Sequence, residues 1–549
     1  MRVLVLGGYG FFGQRLVRRL AAQAGLHIVV AGRSPERARA LITRLSAPAA
    51  TLSPARLDTQ APDFPDQLAA QHPAVVVHTA GPFQGQDYRV AEACIAAGAH
   101  YIDLADGRAF VGGITRLDAA ARHAGVAVLS GASSVPALSG AVADALARGL
   151  ARVDSIDTGI SPGNRTERGL ATVRAILGYC GQPIASRQAA TPTGWLGTWQ
   201  HAYPAPVGPR LLSPCDVPDL DVLHGRYPGE PAIRFGAGLE LRLLHRAMNT
   251  MAWLAHRGWV PDWAAHAPWL LALSEGFRGW GSDAGAMHVR LAGRTAEGRP
   301  VERLWQLVAA AGDGPYVPTL AAAALVRRLA AARPRMPGAR PCVGELAVED
   351  ILHEAEGLAI TTTRQDLPAP PSLYRAVMGP AYERLHPALQ YFHGLQGHTV
   401  LHGEVATQGP QGALGRLLAR LTGTPLQERS GPIRFVLDAA PAEETWTREF
   451  PGQVMRSCLR LVQGQVVESL GAARLVFGLA AEGDVLVMQL RAMRFLGIPC
   501  PRWLLPRVVA RERGEGSRLH FEISAGLPVV GRIAGYRGWL ELPGMEDPQ

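Results

Sequence analysis

Residues 1–13, MRVLVLGGYGFFG, set a short apolar strand directly against a glycine-rich turn. Val3 to Leu6 reads as a buried parallel strand, Gly8, Gly10 and Gly13 fill a G-x-G-x-x-G pattern, and Phe12 to Leu20 continues at helical spacing. Gly8 permits the tight turn, Gly10 lets backbone approach a pyrophosphate, and Gly13 lets the helix pack on the strand. Phosphate oxygens would sit on the helix N-terminus, where free N–H groups and the dipole favour negative charge. The candidate cofactor-binding set here is Gly7, Gly8, Gly10, Phe11, Phe12 and Gly13.

The next strand, HIVVAGRS at 27–34, ends where an adenosine ribose would lie. An NAD-selective site places Asp or Glu there to accept the 2′-hydroxyl. This chain has Arg33 followed by Ser34. A guanidinium forks onto a 2′-phosphate, so NADP(H) is expected over NAD(H). The competing use of Arg33 is a solvated arginine at a strand end.

Strand and helix signals alternate through the first 150 residues: VLVL, HIVVA, TLSPARLD, AVVVHTAG, HYIDLAD and VAVLSGA, with helical stretches between them. The pattern describes an α/β doubly wound parallel sheet of the Rossmann type, whose ligands bind at the strand C-termini. At that edge stand Asp58, suited to adenine or to a turn, and the loop Thr79, Ala80, Gly81, Pro82 and Phe83, suited to the ribose and nicotinamide. Tyr101, Asp103 and Asp106 in HYIDLAD are the candidates for a proton relay, since a buried carboxylate there can act as a general acid. Ser133 and Ser134, in GASS, open the following helix and would hold a substrate carbonyl or carboxylate; an N-cap competes with that role. The run is not G-x-S-x-G, which argues against hydrolase chemistry.

A chain of 549 residues exceeds one ordinary core. All 55 Lys+Arg residues are arginine, which removes lysine Schiff bases, a Walker A lysine and the Tyr-x-x-x-Lys pair of short-chain dehydrogenases. The net charge of +9 comes from arginines scattered singly, so nucleic acid is not an expected partner. Cys94, Cys180, Cys215, Cys342, Cys458 and Cys500 are widely spaced with no C-x-x-C, so neither a metal site nor a secreted disulfide framework is expected, and a cytoplasmic location fits. No apolar run reaches the ~18 residues of a spanning helix.

The expected organisation is a dinucleotide-binding domain at 1–145, a mixed α/β substrate or interface domain at 146–366, and a β-rich antiparallel domain at 375–549. Strands are read in the middle domain at SIDTGIS, AMHVRLAGRT and RPVERLWQLVA. Residues 241–280 read as helical and hold Trp253, Trp259, Trp263, Trp269 and Trp280, for which core packing is the first reading; a homodimer interface, a substrate lid and peripheral membrane contact through 250–280 stay open. After the linker LPAPP at 367–371, ten stretches from TVLHGEVAT to RGWLEL alternate as strands of an antiparallel sheet or partial barrel. That region would enclose an apolar ligand or build an interface.

Several stretches together resemble the saccharopine dehydrogenase-like oxidoreductases: GGYGFFG, AGRS, VVVHTAGPF, CIAAGAHYIDLADG and GVAVLSGASSVPALS. The runs GDGPYVPTLAAAAL and PGARPCVGEL are similar to the second domain of bacterial members, and RFLGIPCPRWLLPRV with GYRGWL resembles a domain of unknown function fused to some of them. The resemblance implies an NADP-type Rossmann domain, a mixed α/β substrate domain and hydride transfer to or from a small molecule. The chain departs from the saccharopine-forming pattern, with Ser134-Val135-Pro136-Ala137 where an acidic L-D-P-G run stands and no lysine for a Lys-His pair. A substrate other than saccharopine is expected, an acyl or enoyl compound, because some relatives resemble trans-acting enoyl reductases. The alternative is a non-catalytic NADP(H)-binding sensor or scaffold whose C-terminal domain binds a partner or lipid.

Overall fold

The computed structural model describes the chain apart from residues 168, 186–191, 298, 332–335, 370, 441, 528–529 and 543–549. Strands β1 (Arg2–Leu6), β2 (His27–Gly32), β3 (Thr51–Arg56), β4 (Val75–His78), β5 (His100–Asp103) and β6 (Ala127–Ser130) form one parallel sheet in the order β6-β5-β4-β1-β2-β3. Val3, Leu4, Val5, Val75, Val76 and Val77 are fully buried, as continuous apolar runs on central parallel strands require. The strand order reverses between β1 and β4, which opens a crevice at their C-terminal ends.

Gly338–Pro341, distant in sequence, adds a seventh parallel strand beside β6. Helix Val317–Ala330 then packs against the first helix, α1 (Gly13–Ala21). The chain therefore leaves the first sheet near residue 150 and returns to it, a feature that no local pattern in GARP announces.

The second sheet is mixed, built from Ile360–Leu367, Pro300–Ala309, Gly285–Arg294, Arg152–Ser161, Ala232–Ala237, Pro209–Pro214 and Trp199–Ala202 in that order. Only the pairing of 152–161 with 232–237 is parallel. The two sheets are tied by Arg108, which donates to both carboxylate oxygens of Asp221 at 2.6 Å and to Asp216 at 3.0 Å.

In the tryptophan-rich stretch, Trp253 lies on helix Arg242–His256 and Trp269 on helix Ala267–Glu275, while Trp259, Trp263 and Trp280 lie in the segments outside them. Core packing holds for Trp263, which donates to the Met251 carbonyl and packs on the cluster around Trp195 and Phe235. It fails for the other four: Trp253, Trp259, Trp269 and Trp280 are 41–69% exposed.

The ten C-terminal strands read from the sequence all form. They close into an antiparallel barrel, because Ala473–Glu482 pairs with Val485–Phe495 while Gly397–Gln408 pairs with Gly531–Glu541. Alternate residues fill the interior with Phe435, Trp446, Met455, Phe477, Leu519 and Phe521. Pro387–Phe392 packs its Leu389 and Phe392 into the same core. Arg152 joins barrel to middle domain by donating to the carbonyls of Gln396 and His398.

Candidate functional site

The crevice at the β1/β4 switch point is a cleft of about 390 Å³. Its floor is the turn after β1. Gly7 takes the left-handed conformation (φ 76°), so the tight turn falls on Gly7 and not on Gly8, whose missing side chain instead leaves room for Val30 at 3.0 Å. A Cβ on Gly13 would lie 2.1 Å from the Gly7 carbonyl oxygen, and one on Gly10 would lie 2.9 Å from it. The backbone is thus packed too tightly for any side chain at either place. The Gly10 amide turns back onto the Gly7 carbonyl and the Gln14 amide onto the Gly10 carbonyl; between them the amides of Phe11, Phe12 and Gly13 have no backbone acceptor among the described residues. These are the free donors of a helix N-terminus, next to the cleft.

Of the cofactor-binding set, Gly7, Gly10, Phe11, Phe12, Arg33, Asp58, Thr79, Ala80, Gly81 and Pro82 line the cleft. Gly8, Gly13 and Ser34 stand behind its wall. Ser34 caps the helix Pro35–Thr43, its Oγ accepting from the Arg37 amide at 3.3 Å. Arg33 is exposed at the β2 end and makes no hydrogen bond or ion pair among the described residues. Asp58 accepts from the Gln60 amide at 3.1 Å while lining the cleft, so it serves a turn and remains available to a ligand. The Thr79–Pro82 loop is held by Gln86, whose Nε2 donates to the carbonyls of Ala80 and Pro82, and by Thr79 Oγ1, which donates to the Leu6 carbonyl at 2.8 Å.

The proton-relay candidates separate. Asp106 lines the cleft, half-buried, accepting from Gln84 Nε2 at 3.3 Å, and burial raises its carboxyl above the ordinary range. Asp103 is fully buried away from the cleft, and its Oδ1 accepts the amides of Ala105 and Gly131 at 2.9 and 2.7 Å. Burial pushes its carboxyl up to about 6 against the pull of those donors. It staples the end of β5 to the end of β6. Tyr101 is likewise enclosed, its hydroxyl 3.1 Å from Nδ1 of a His78 that burial lowers to about 4. Ser133 and Ser134 are buried outside the cleft, and Ser133 makes no side-chain capping bond. Tyr101 to Ala105 are all buried at the end of this central strand, and of the three candidates only Asp106, in the loop after it, reaches the cleft.

Sequence reasoning missed three parts of the site. Tyr9 lines the cleft and lies over Gly32, where a Cβ would sit 2.6 Å from its hydroxyl; the pairing of a tyrosine in the turn with a glycine ending β2 was the available signal. Leu104 completes the apolar end of the cleft beside Phe83, the last residue of the loop read from the sequence. Gly169, Ala171, Thr172 and Ala175, from the middle domain, form its outer wall. That wall is fixed by Arg15, which donates to the Phe11 carbonyl and pairs with Glu167 at 3.2 Å, and nothing local in the sequence marks it.

Fold and cleft together define a dinucleotide-binding oxidoreductase fold. Residues 3–129 match the saccharopine dehydrogenase NADP binding domain, and residues 385–540 match a domain of unknown function, DUF4166. The two matches cover the N-terminal sheet and the C-terminal barrel, and neither spans half of the chain. No curated protein matches the chain. Similar solved structures include apo saccharopine dehydrogenase (L-Glu forming) from Saccharomyces cerevisiae, 14% identical over 66% of this chain and 99% of that one, TM-score 0.48. Amine dehydrogenase from Mycobacterium smegmatis is 12% identical over 62% and 94%, TM-score 0.34. GenD2 from gentamicin A biosynthesis, in complex with NAD, is 14% identical over 67% and 97%, TM-score 0.30. Among the described residues no helix is long and apolar enough to cross a membrane.

Proposed function

We propose that the cleft binds NADP(H) in preference to NAD(H), and that the protein is an NADP(H)-dependent oxidoreductase whose small-molecule substrate is an acyl or enoyl compound rather than saccharopine. When bound, the dinucleotide supplies or accepts a hydride. The glycine turn fits it: Gly10 and Gly13 leave no space for side chains, and the free amides of Phe11, Phe12 and Gly13 meet the pyrophosphate. The observation that carries the cofactor choice is Arg33, a guanidinium at the ribose end with no partner of its own among the described residues. It pairs with the 2′-phosphate. Asp58 holds the adenosine end, and Thr79 to Pro82 hold the nicotinamide end. Asp106, in the same cleft as Phe83 and Leu104, gives or takes the proton at the substrate atom next to the carbon that exchanges the hydride. Calorimetric titration of the full chain with NADPH and NADH, followed by NADPH oxidation with α,β-unsaturated acyl thioesters, tests both halves. Absence of NADPH binding ends the proposal; binding without turnover on any acceptor leaves the sensor reading in its place.

A second reading concerns the surface. Trp269 and Leu273 stand exposed on helix Ala267–Glu275, and Trp259 and Trp280 stand exposed in the segments that follow the two helices, with Arg257 at 5.4 Å over the Trp253 ring, which favours peripheral contact with an anionic bilayer. Flotation with phosphatidylserine vesicles tests it. Trp259→Ser with Trp269→Ser should abolish co-flotation, and unchanged flotation would sink the idea.

A further inference from the structure

Helix Gly412–Thr422 lies across one end of the C-terminal barrel. Before it, the Gln411 amide donates to the Arg532 carbonyl at the start of strand Gly531–Glu541. In its last turn the Leu421 carbonyl accepts the Ala472 amide, from the turn that opens strand Ala473–Glu482, and Gln453 Nε2 donates to the Gly423 carbonyl at 3.1 Å. A surface helix normally buries its leucines and turns its other face to water. This one does the reverse. Gly415 and Ala419 are buried against the barrel, while Leu414, Leu417 and Leu421, at i, i+3 and i+7, are 41–54% exposed.

A second apolar element stands at the same end. The Ala472 carbonyl accepts the Leu496 amide at 2.9 Å, which sets Leu421 and the connection 496–506 side by side. Leu496, Ile498 and Trp503 are 69–77% exposed there.

The charge of this end is as one-sided as its apolarity. Glu428 is the single carboxylate in the connections 409–428, 451–452, 471–472 and 496–506. Arg416, Arg420, Arg474, Arg494, Arg502 and Arg507 are exposed among or beside the apolar side chains, none of them in an ion pair among the described residues. At the opposite end of the barrel the arginines have partners: Arg460 pairs with Glu443, Arg511 with Glu482 and Arg518 with Glu541, at 3.0–3.3 Å.

We propose that this end of the barrel docks on the surface of an anionic lipid bilayer, on a different domain from the exposed tryptophans of 250–280. Guanidiniums without carboxylate partners meet lipid phosphates and carboxylates, and Trp503 with the leucines enters the boundary between headgroups and acyl chains. Unpaired arginines alone would suit an acidic protein equally well. Interleaved with an outward-facing leucine stripe and a loop of Leu, Ile and Trp, they match a surface that is anionic outside and hydrocarbon beneath.

Flotation of the full-length protein with vesicles of phosphatidylcholine, alone or mixed with phosphatidylserine, tests this. Co-flotation is expected with the anionic vesicles, and at least about tenfold weaker partitioning with the neutral ones. Leu496→Ser with Trp503→Ser should lower partitioning roughly tenfold or more. Arg494→Ser with Arg502→Ser should lower it about 30-fold, at roughly fivefold per arginine. Thermal unfolding followed by circular dichroism identifies the variants that are folded. No flotation of the wild type, equal flotation with neutral vesicles, or a folded variant of either kind that partitions like the wild type overturns the proposal. Loss in the barrel variants upholds it whether or not Trp259→Ser with Trp269→Ser also loses flotation; loss in that middle-domain variant alone overturns it in favour of the other surface.

Discussion

The Tyr9 hydroxyl accepts the backbone amide of Ser34 at 2.8 Å, while the Arg37 guanidinium lies 4.9 Å over its ring. One side chain in the phosphate turn thus fixes the strand end that carries Arg33. Removing the acceptor leaves the Ser34 amide unpaired, at about 1 kcal/mol. Tyr9→Phe should weaken NADPH roughly fivefold by that conversion. It should weaken NADH less, because only NADPH uses the residue that the contact positions. Paired calorimetric titrations read both.

Arg33 itself should matter more. A charge-assisted contact to the 2′-phosphate is worth about 1.5–3 kcal/mol, so Arg33→Ala should cost NADPH about 10- to 100-fold in affinity and leave NADH nearly unchanged. Gly10→Val is the companion: its side chain would stand against the Gly7 carbonyl and in the cleft, and should abolish binding of both dinucleotides. Equal loss of both cofactors in Arg33→Ala would show that Arg33 does not read the phosphate.

The parts legible in the sequence were those with a short period or an obligatory residue. The glycine turn, the six parallel strands and the ten barrel strands each carry their reason locally, in Gly7 to Gly13, in runs such as Val75–Val77, or in alternations such as Arg507–Glu515. What stayed hidden depended on distant segments meeting. The return of Gly338–Pro341 to the first sheet, the wall from Gly169 to Ala175 and the burial of Asp103 beneath Gly131 are all set by tertiary packing. Trp259, just after helix Arg242–His256, and Trp269, on helix Ala267–Glu275, misled because large apolar residues are usually enclosed, and both stand exposed here.

Asp106 gives a pH test. Burial raises its carboxyl, so the protonated acid persists to higher pH than in a free aspartate. If it donates the proton during reduction, kcat should fall as pH rises through that raised value. Asp106→Asn should lower kcat about 100-fold or more, remove this limb and leave NADPH affinity close to that of the wild type. An unchanged pH profile in the variant would assign the proton to another group.

Asp219 makes a prediction about stability that is independent of catalysis. It is fully buried, and burial pushes its carboxyl from 3.8 up to about 7. The folded chain therefore keeps this proton up to neutrality, whereas the unfolded chain releases it near 4. Between those values the folded state binds the extra proton, so the stabilisation is complete below about 4 and is lost as pH rises through 7. At 1.36 kcal/mol per unit the swing is on the order of 4 kcal/mol. Asp219→Asn has no proton to lose. Its unfolding midpoint in urea should change less between pH 5 and pH 8 than that of the wild type, and the variant should be the more stable of the two at pH 8. The comparison cancels the other titrating groups, which both proteins share. A wild-type midpoint that moves no more than the variant's over this range would mean that Asp219 is ionised in the folded protein.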